Sequence, residues 1–221
     1  SMDGEVLFAK ASFDGPSHGA LLGVFVEEAL SVLKKKGKKA LDAVAVSSGP
    51  GSYTGLRIGV SVAKGLCFGF GIPLIGIHTL DIMAATVNSK GDSQIVSITD
   101  DCLYCAILDA RRMEVYAAIY DASLKPVRET KADIVEAGTY ASYLEKGKVC
   151  FFGNGASKCK SVITSPNAIF IEDIHPLAVN MIPFSEQAFA AGKFEDTAYF
   201  EPFYLCLLYT SDAADDLLCV D

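Results

Sequence analysis

Eleven residues, Ser47-Ser48-Gly49-Pro50-Gly51-Ser52-Tyr53-Thr54-Gly55-Leu56-Arg57, restrict what this chain can fold into more than any other stretch. The apolar run Ala43 to Val46 leads into them, and a long apolar run from Leu56 to Phe70 follows. Three glycines and a proline force a sharp turn, and Ser52 and Thr54 are the residue types that cap helices. The pattern predicts a strand, a tight glycine loop and a helix N-terminus. Such a loop lets backbone N–H groups approach an anion. The loop residues Gly49, Gly51, Ser52, Tyr53, Thr54 and Arg57 are therefore candidates for holding a nucleotide or another anion. The stretch is not a Walker A loop, because Leu56-Arg57 follows Gly55 where Lys-Ser/Thr is required. Nor is it a dinucleotide fingerprint, since Thr54 stands where a glycine belongs. A tight structural turn is the plainer reading.

The helix after the loop carries Gly55, Gly59, Ala63 and Cys67 at four-residue intervals. Residues four apart share a helix face, so these make a ridge of small side chains. A ridge of this kind lets another element approach closely. Ile58, Val62 and Leu66 line a neighbouring face and are expected to bury against a sheet. Two packable faces on one helix predict one for the core and one for a partner. The run contains Arg57, Ser61 and Lys64 and breaks at Gly69 and Gly71, which excludes a membrane span.

Ser47–Arg57, with Ile58-Gly59-Val60 and Ala63-Lys64-Gly65-Leu66, resembles the G-R-G-P-G-S-F-T-G-[LV]-R-I-G segment of the TsaB (YeaZ) family. Ser48 replaces the usual arginine and Tyr53 the phenylalanine. Further matches follow in order: Gly71-Ile72-Pro73 with Gly76-Ile77-His78-Thr79-Leu80, then Asp109-Ala110-Arg111-Arg112-Met113-Glu114-Val115-Tyr116. Phe152-Gly153-Asn154-Gly155 and Phe194-Glu195-Asp196 through Tyr199-Phe200-Glu201-Pro202-Phe203-Tyr204-Leu205 complete the series. The resemblance covers nearly all of residues 3–205.

A chain of 221 residues with 51% hydrophobic residues can build one large domain or two small ones. Its net charge is −8, and no basic stripe of the kind a nucleic-acid binder carries is visible. The one dense basic run, Lys34-Lys35-Lys36 with Lys38-Lys39, sits at a helix end, where cations complement the dipole. Any service to tRNA is then expected to be indirect. Seven scattered cysteines suit free thiols in the cytoplasm. Cys102 and Cys105 form a single C-x-x-C, but in a strand they face opposite sides and share a metal poorly. The three histidines, His18, His78 and His175, make no H-x-x-x-H pair, so a helical two-histidine metal site is excluded.

Along the chain, Asp3-Gly4 signals a turn and Glu5–Ala9 reads as a strand. A helix opening at Ser17 or His18 runs to about Lys36, and its apolar residues cover close to half its circumference, more than one core face needs. Ala43–Ser48 and Pro73–Ile77 read as parallel strands of a βαβ unit. A helix from Thr79 or Leu80 to about Asn88 precedes a polar loop, Ser89–Ser93, the best domain boundary. Ile95–Thr99, Leu103–Leu108 and Glu114–Tyr120 read as further strands, short helices and strands continue through Lys148–Gly153 and Ala168–Ile171, and Leu177–Gly192 reads as the last long helix. Asp109, Arg111, Arg112 and Glu114 cluster in a turn, most simply a salt-bridged one. Asp100-Asp101 is a solvated pair, and Gly153-Asn154-Gly155 a second strand-to-helix turn.

The resemblance implies an α/β, actin-like (sugar kinase/Hsp70/actin) ATPase fold of two RNase H-like lobes, residues 1–91 and 92–205. The family starts with a strand that precedes Ser1 here, so the first strand is expected to be missing. Residues 206–221 do not match the family's ending and are expected to be an unrelated tail. The implied function is non-catalytic: dimerisation with a TsaD-like subunit that transfers threonylcarbamoyl to adenosine 37 of tRNA, alongside a TsaE-like ATPase. The chain would hold no cofactor of its own, with ATP or ADP and metal on the partner subunits. A homodimer in isolation is the other implied assembly. The implied partner interface lies on the first two helices, at His18, Leu21, Leu22, Phe25, Val26, Ala29, Leu56, Gly59, Val60, Ala63, Lys64 and Cys67. The alternatives are an independent actin-like ATPase or kinase, and a glycoprotease-like metallopeptidase.

Overall fold

A computed structural model describes residues 1, 4–13, 18–37, 41–90 and 102–205. The described chain divides into two compact units. The first holds Ser1–His78 and Leu177–Tyr204, and the second holds Thr79–Pro176. The strand expected at Ile95–Thr99, the pair Asp100-Asp101, the boundary at Gly91 and the tail Cys206–Asp221 lie outside the described residues.

In the first unit, α1 (His18–Lys35) is followed by β1 (Val44–Gly49), α2 (Tyr53–Phe70) and β2 (Leu74–His78). β1 and β2 pair in parallel, with Val44 opposite Leu74 and Ser47 opposite Ile77. The expected βαβ unit is present. α2 begins where Ser52 accepts a hydrogen bond from the Gly55 N–H. It ends at Gly71, whose φ of 66° is left-handed and whose N–H returns to the Cys67 carbonyl, a glycine-dependent stop. Leu56, Val60, Ala63 and Cys67 are its buried residues. Glu5–Ala9 is not a strand: residues 6–13 have no ladder, because the unit's sheet consists of β1 and β2 alone among the described residues. A strand that finds no neighbour leaves its N–H and C=O groups to water.

Gly65 lies on the exposed side of α2, and a Cβ added there meets no atom within 4 Å. Gly65→Ala is therefore expected to stabilise the protein by about 0.5–1 kcal/mol through helix propensity alone. A rise in the denaturant midpoint checks this; a fall would mean that this face is covered.

The second unit starts with α3 (Thr79–Lys90) and carries β3 (Leu103–Asp109), β4 (Glu114–Tyr120), β5 (Pro126–Ile134), α4 (Ala141–Leu144), β6 (Val149–Phe152), α5 (Ala156–Cys159) and β7 (Ala168–Ile171). Its five-stranded sheet has the order β5-β4-β3-β6-β7. β5, β4 and β3 are antiparallel, and β6 and β7 are parallel to β3. Alternation along β3 sends Tyr104, Ala106 and Leu108 into one core with Leu80 and Met83 of α3. Cys105 and Ile107 go into the other, with Tyr140, Leu144 and Cys159. The central strands are apolar on both faces because both faces are covered.

The last expected helix, Leu177–Gly192, is interrupted. Ala178–Met181 is a 3-10 turn, and α6 (Ile182–Ala190) starts anew with a proline in its first turn. Pro183 has no N–H to give to an earlier carbonyl, so a continuous helix cannot run through it. α6 packs against β2 of the first unit.

Candidate functional site

The glycine loop between β1 and α2 is closed over by the chain's own C-terminal segment, Phe194–Tyr204. The Phe203 N–H donates to the Ser48 carbonyl at 2.7 Å, and the Glu195 N–H donates to the Leu74 carbonyl at 2.9 Å. Lys64 Nζ donates to the carbonyls of Ala198 and Phe200 at 3.0 and 3.1 Å. The Phe203 ring meets His78 edge-on at 5.5 Å, and the Tyr204 ring lies 5.2 Å from Tyr53. Arg57 in turn stands 4.8 Å over the Tyr53 ring. Asp196 shapes the segment by accepting from the Ala198 and Tyr199 N–H groups. This is what the Phe194–Leu205 motif does: it straps the edge of the sheet and covers the loop.

The strap explains two glycines. Gly49 has a φ of 108°, and a Cβ there would sit 2.8 Å from the Phe203 carbonyl oxygen. A Cβ on Gly76 would lie 2.9 Å from Glu195 Oε1 and 3.0 Å from the Phe200 ring. Among the helix-start donors, the Gly55 N–H goes to Ser52 Oγ and the Leu56 N–H to the Ser52 carbonyl. Gly51, Ser52, Thr54 and Arg57 are exposed, and Tyr53 is half-buried.

On α1, Leu21, Leu22, Phe25, Val26 and Ala29 are each only half-buried, and Val24 is 46% exposed. α1 packs beside α2, with Gly19 facing Ile58. Lys10 pairs with Glu28 at 2.6 Å and stands 4.8 Å over the Phe25 ring. His18 is the first residue of α1. On α2 the small ridge points inward. Ala63 and Cys67 form a core with Leu74, and a Cβ on Gly59 would lie 3.8 Å from Val46. Leu56 and Val60 are buried beside them. The ridge therefore brings α2 close to its own sheet, and the face expected to meet that sheet (Ile58, Val62, Leu66) is half-buried instead. Lys64 is committed to the strap. The exposed apolar groups of α2 are Phe68, at 89%, and Phe70. Neither drew notice in the sequence, since single aromatics at a helix end carry no period.

The second unit holds a charged cluster at the β3–β4 turn. Arg111 and Arg112 have φ of 69° and 45°, so both take the left-handed conformation of a tight hairpin. Asp109 Oδ1 accepts from the Arg111 N–H at 2.9 Å, and the Asp109 N–H donates to Asn154 Oδ1 at 3.0 Å. The cation on Asp109 is Lys158 of α5, not an arginine of the turn. Lys158 Nζ also donates to the carbonyls of Arg112 at 2.8 Å and Glu114 at 2.6 Å. It fastens the turn to the Gly153-Asn154-Gly155 loop. Sequence reasoning missed Lys158; its only signal was a lysine one turn beyond Asn154.

Burial pushes the Tyr120 hydroxyl far above its usual range, and Asp81, which accepts from it at 2.6 Å, adds to the shift. Burial likewise raises the Cys105 and Cys67 thiols. These groups stay protonated. Cys102 and Cys105 lie in opposite cores of the unit, as alternation predicts. Among the described residues, no group of three or more His, Cys, Asp or Glu could hold a metal, and no helix is long and apolar enough to cross a membrane.

Residues 15–172 match the family model "TsaD: tRNA N6-adenosine threonylcarbamoyltransferase". The chain is 31% identical over 172 residues to an Escherichia coli (strain K12) protein named "tRNA threonylcarbamoyladenosine biosynthesis protein TsaB", covering 75% of this chain and 71% of that one. It is 32% identical over 126 residues to the Bacillus subtilis (strain 168) protein of the same name, covering 56% of this chain and 51% of the other. The solved structure of "YeaZ from Pseudomonas aeruginosa" shares the fold at a TM-score of 0.65 and 22% identity, over 84% of this chain and 85% of that one. The actin-like α/β architecture expected from the sequence is the one observed. Ordered motifs, fold and relatives agree, and the chain belongs to the TsaD family and, within it, to the TsaB (YeaZ) proteins.

Proposed function

We propose that this chain is a non-catalytic subunit of tRNA threonylcarbamoyladenosine biosynthesis that acts by pairing with a TsaD-like catalytic subunit. The observation that carries this reading is α1: its apolar side is wider than its own core uses, and none of residues 19–35 is fully buried. A helix this apolar and this exposed fits a partner's helix better than water. The names of the relatives supply the pathway. The inward ridge moves the proposed contact from Gly59, Ala63 and Cys67 to α1, with Val24 and Phe25 central, and to the outer edge of α2. ATP, metal and the carbamoyl donor belong to the partner subunits in this reading, a TsaE-like ATPase among them. tRNA is met through the complex in the cytoplasm. A homodimer through the same face is the proposed state of the isolated chain.

The test is titration of a purified TsaD-like subunit with this chain. Val24→Asp puts a charge on the exposed face without touching the core. It is expected to weaken association at least about tenfold, equivalent to about 1.4 kcal/mol, with the melting transition unchanged. Equal affinity of the variant would remove α1 from the interface. Threonylcarbamoyl transfer should depend on the mixture. Steady ATP or peptide hydrolysis by the repurified chain alone would instead establish one of the enzyme alternatives.

A further inference from the structure

Two thiols that no role above absorbs meet inside the second unit. Cys102 immediately precedes β3, and Cys150 lies in β6, the strand parallel to it. Their Sγ atoms are 2.8 Å apart in hydrogen-bond contact, and the side chains are 2% and 0% exposed. Cys102 is two positions before Tyr104, the residue opposite Cys150, so both thiols lie on the same sheet face. The other described thiols are placed differently. Cys67 Sγ contacts the Pro73 carbonyl, and Cys159 Sγ contacts the Gly155 carbonyl in the opposite core. The C-x-x-C of the sequence is thus a misleading pairing, and the real neighbour of Cys102 is 48 residues away.

We propose that Cys102 and Cys150 are a built site for a reversible intramolecular disulfide, with a small peroxide as oxidant. A disulfide needs the sulfurs at about 2.05 Å, so they must approach by less than about 1 Å, and the two-residue offset between the cysteines puts part of that movement in the Cys102 backbone just ahead of β3. The hydrogen bond between the two thiols holds Cys102 below its ordinary value, with the Lys148 charge adding to this against the opposing effect of burial. The same hydrogen bond, with burial, raises Cys150. Cys102 serves as the nucleophile and Cys150 as the resolving thiol, and the bond formed is the same with the roles exchanged.

Cys102 thiolate attacks one peroxide oxygen and the O–O bond breaks. Cys102 becomes a sulfenic acid, and the leaving hydroxide takes up the proton that Cys102 gave to solvent. Cys150 Sγ then attacks Cys102 Sγ and displaces hydroxide, which takes the Cys150 proton and leaves as water. Two thiols and one hydrogen peroxide yield one disulfide and two waters. The bond would tie the entrance of β3 to β6. A dithiol reductant reverses it by exchange.

Hydrogen peroxide is the probe, applied to the folded full chain before alkylation and non-reducing peptide mapping. The expected result is loss of two alkylatable thiols and one Cys102–Cys150 linked peptide, restored to free thiols by dithiothreitol. Cys102→Ser should abolish the linkage, and Cys105→Ser should leave it intact. The wild-type map decides even if Cys102→Ser does not fold. Retention of both thiols, irreversible sulfinic acid at either cysteine, or linkage of either to Cys206 or Cys219 instead would overturn the proposal.

Discussion

Gly153→Ala is expected to destabilise the second unit by about 2–6 kcal/mol, from about 1–3 for the backbone and about 1–3 for overpacking. Gly153 has a φ of 102°. A Cβ there would lie 2.2 Å from Met83 Cε and 2.3 Å from the Ile107 carbonyl oxygen. Met83 can swing aside because its side chain is flexible. The Ile107 carbonyl cannot, because it belongs to the central strand β3 and already accepts from the Gly155 N–H. Urea unfolding followed by circular dichroism measures the effect. Gly138→Ala is the control, since a Cβ there meets nothing within 4 Å, and it should stay within about 0.5 kcal/mol of the parent. A Gly153→Ala midpoint equal to that of the control would show that the β6–α5 turn is not packed as described.

Lys158→Met should cost about 2–4 kcal/mol, because hydrogen bonds to a charged group are strong and several are lost at once. Most of this comes from the carbonyls and less from the ion pair. The Asp109 side chain is 46% exposed, against 21% for Lys158, so solvent and salt screen that pair. The Glu114 carbonyl is part-buried and would keep only the Ala110 N–H as donor. Asp109→Asn should therefore cost clearly less than Lys158→Met, and the difference should survive high salt. Equal costs that both vanish in salt would mean that Lys158 is only a surface ion-pair partner.

The parts legible in the sequence are those with strong local punctuation. The turn at Gly49–Gly51, the cap at Ser52 and the stop at Gly71 delimit α2, and the apolar runs on either side are β1 and β2. β3 and β4 could be read because their residues are buried on one face or both. β5 could not. Its sequence, Pro126-Val127-Arg128-Glu129-Thr130-Lys131-Ala132-Asp133-Ile134, is mostly polar, and it is a strand because β4 offers it a ladder. Arg128 and Asp133 pair with each other there, and the Tyr140 hydroxyl donates to Asp133 at 2.9 Å. Such tertiary partners override weak strand propensity.

At the candidate site, the loop and its capping residue were legible, but what covers them was not. Nothing local links Ser48 to Phe203 or Lys64 to Phe200, since those contacts depend on how the chain returns. The ridge was found but turned the wrong way. A four-residue period of small side chains states that something approaches α2 closely, and it is silent on whether that is a partner's helix or the chain's own strand. Val46 facing Gly59 settles it. The Asp109 turn was seen as charged, and its cation came from a helix some fifty residues on rather than from its own arginines.

The strap also fixes an order of events during synthesis. All the described strands of the second unit lie between Thr79 and Pro176, and they are available once Ile171 has emerged from the ribosome. The first unit is interrupted by that span. Ser48, Leu74 and Lys64 wait for Phe203, Glu195 and Phe200, which are made only after the whole span from Thr79 to Pro176. N-terminal units usually fold first on the ribosome, but here the first unit must hold β1 and β2 open while its neighbour is translated and folded. A nascent chain stalled before Glu195 carries a glycine loop without its strap.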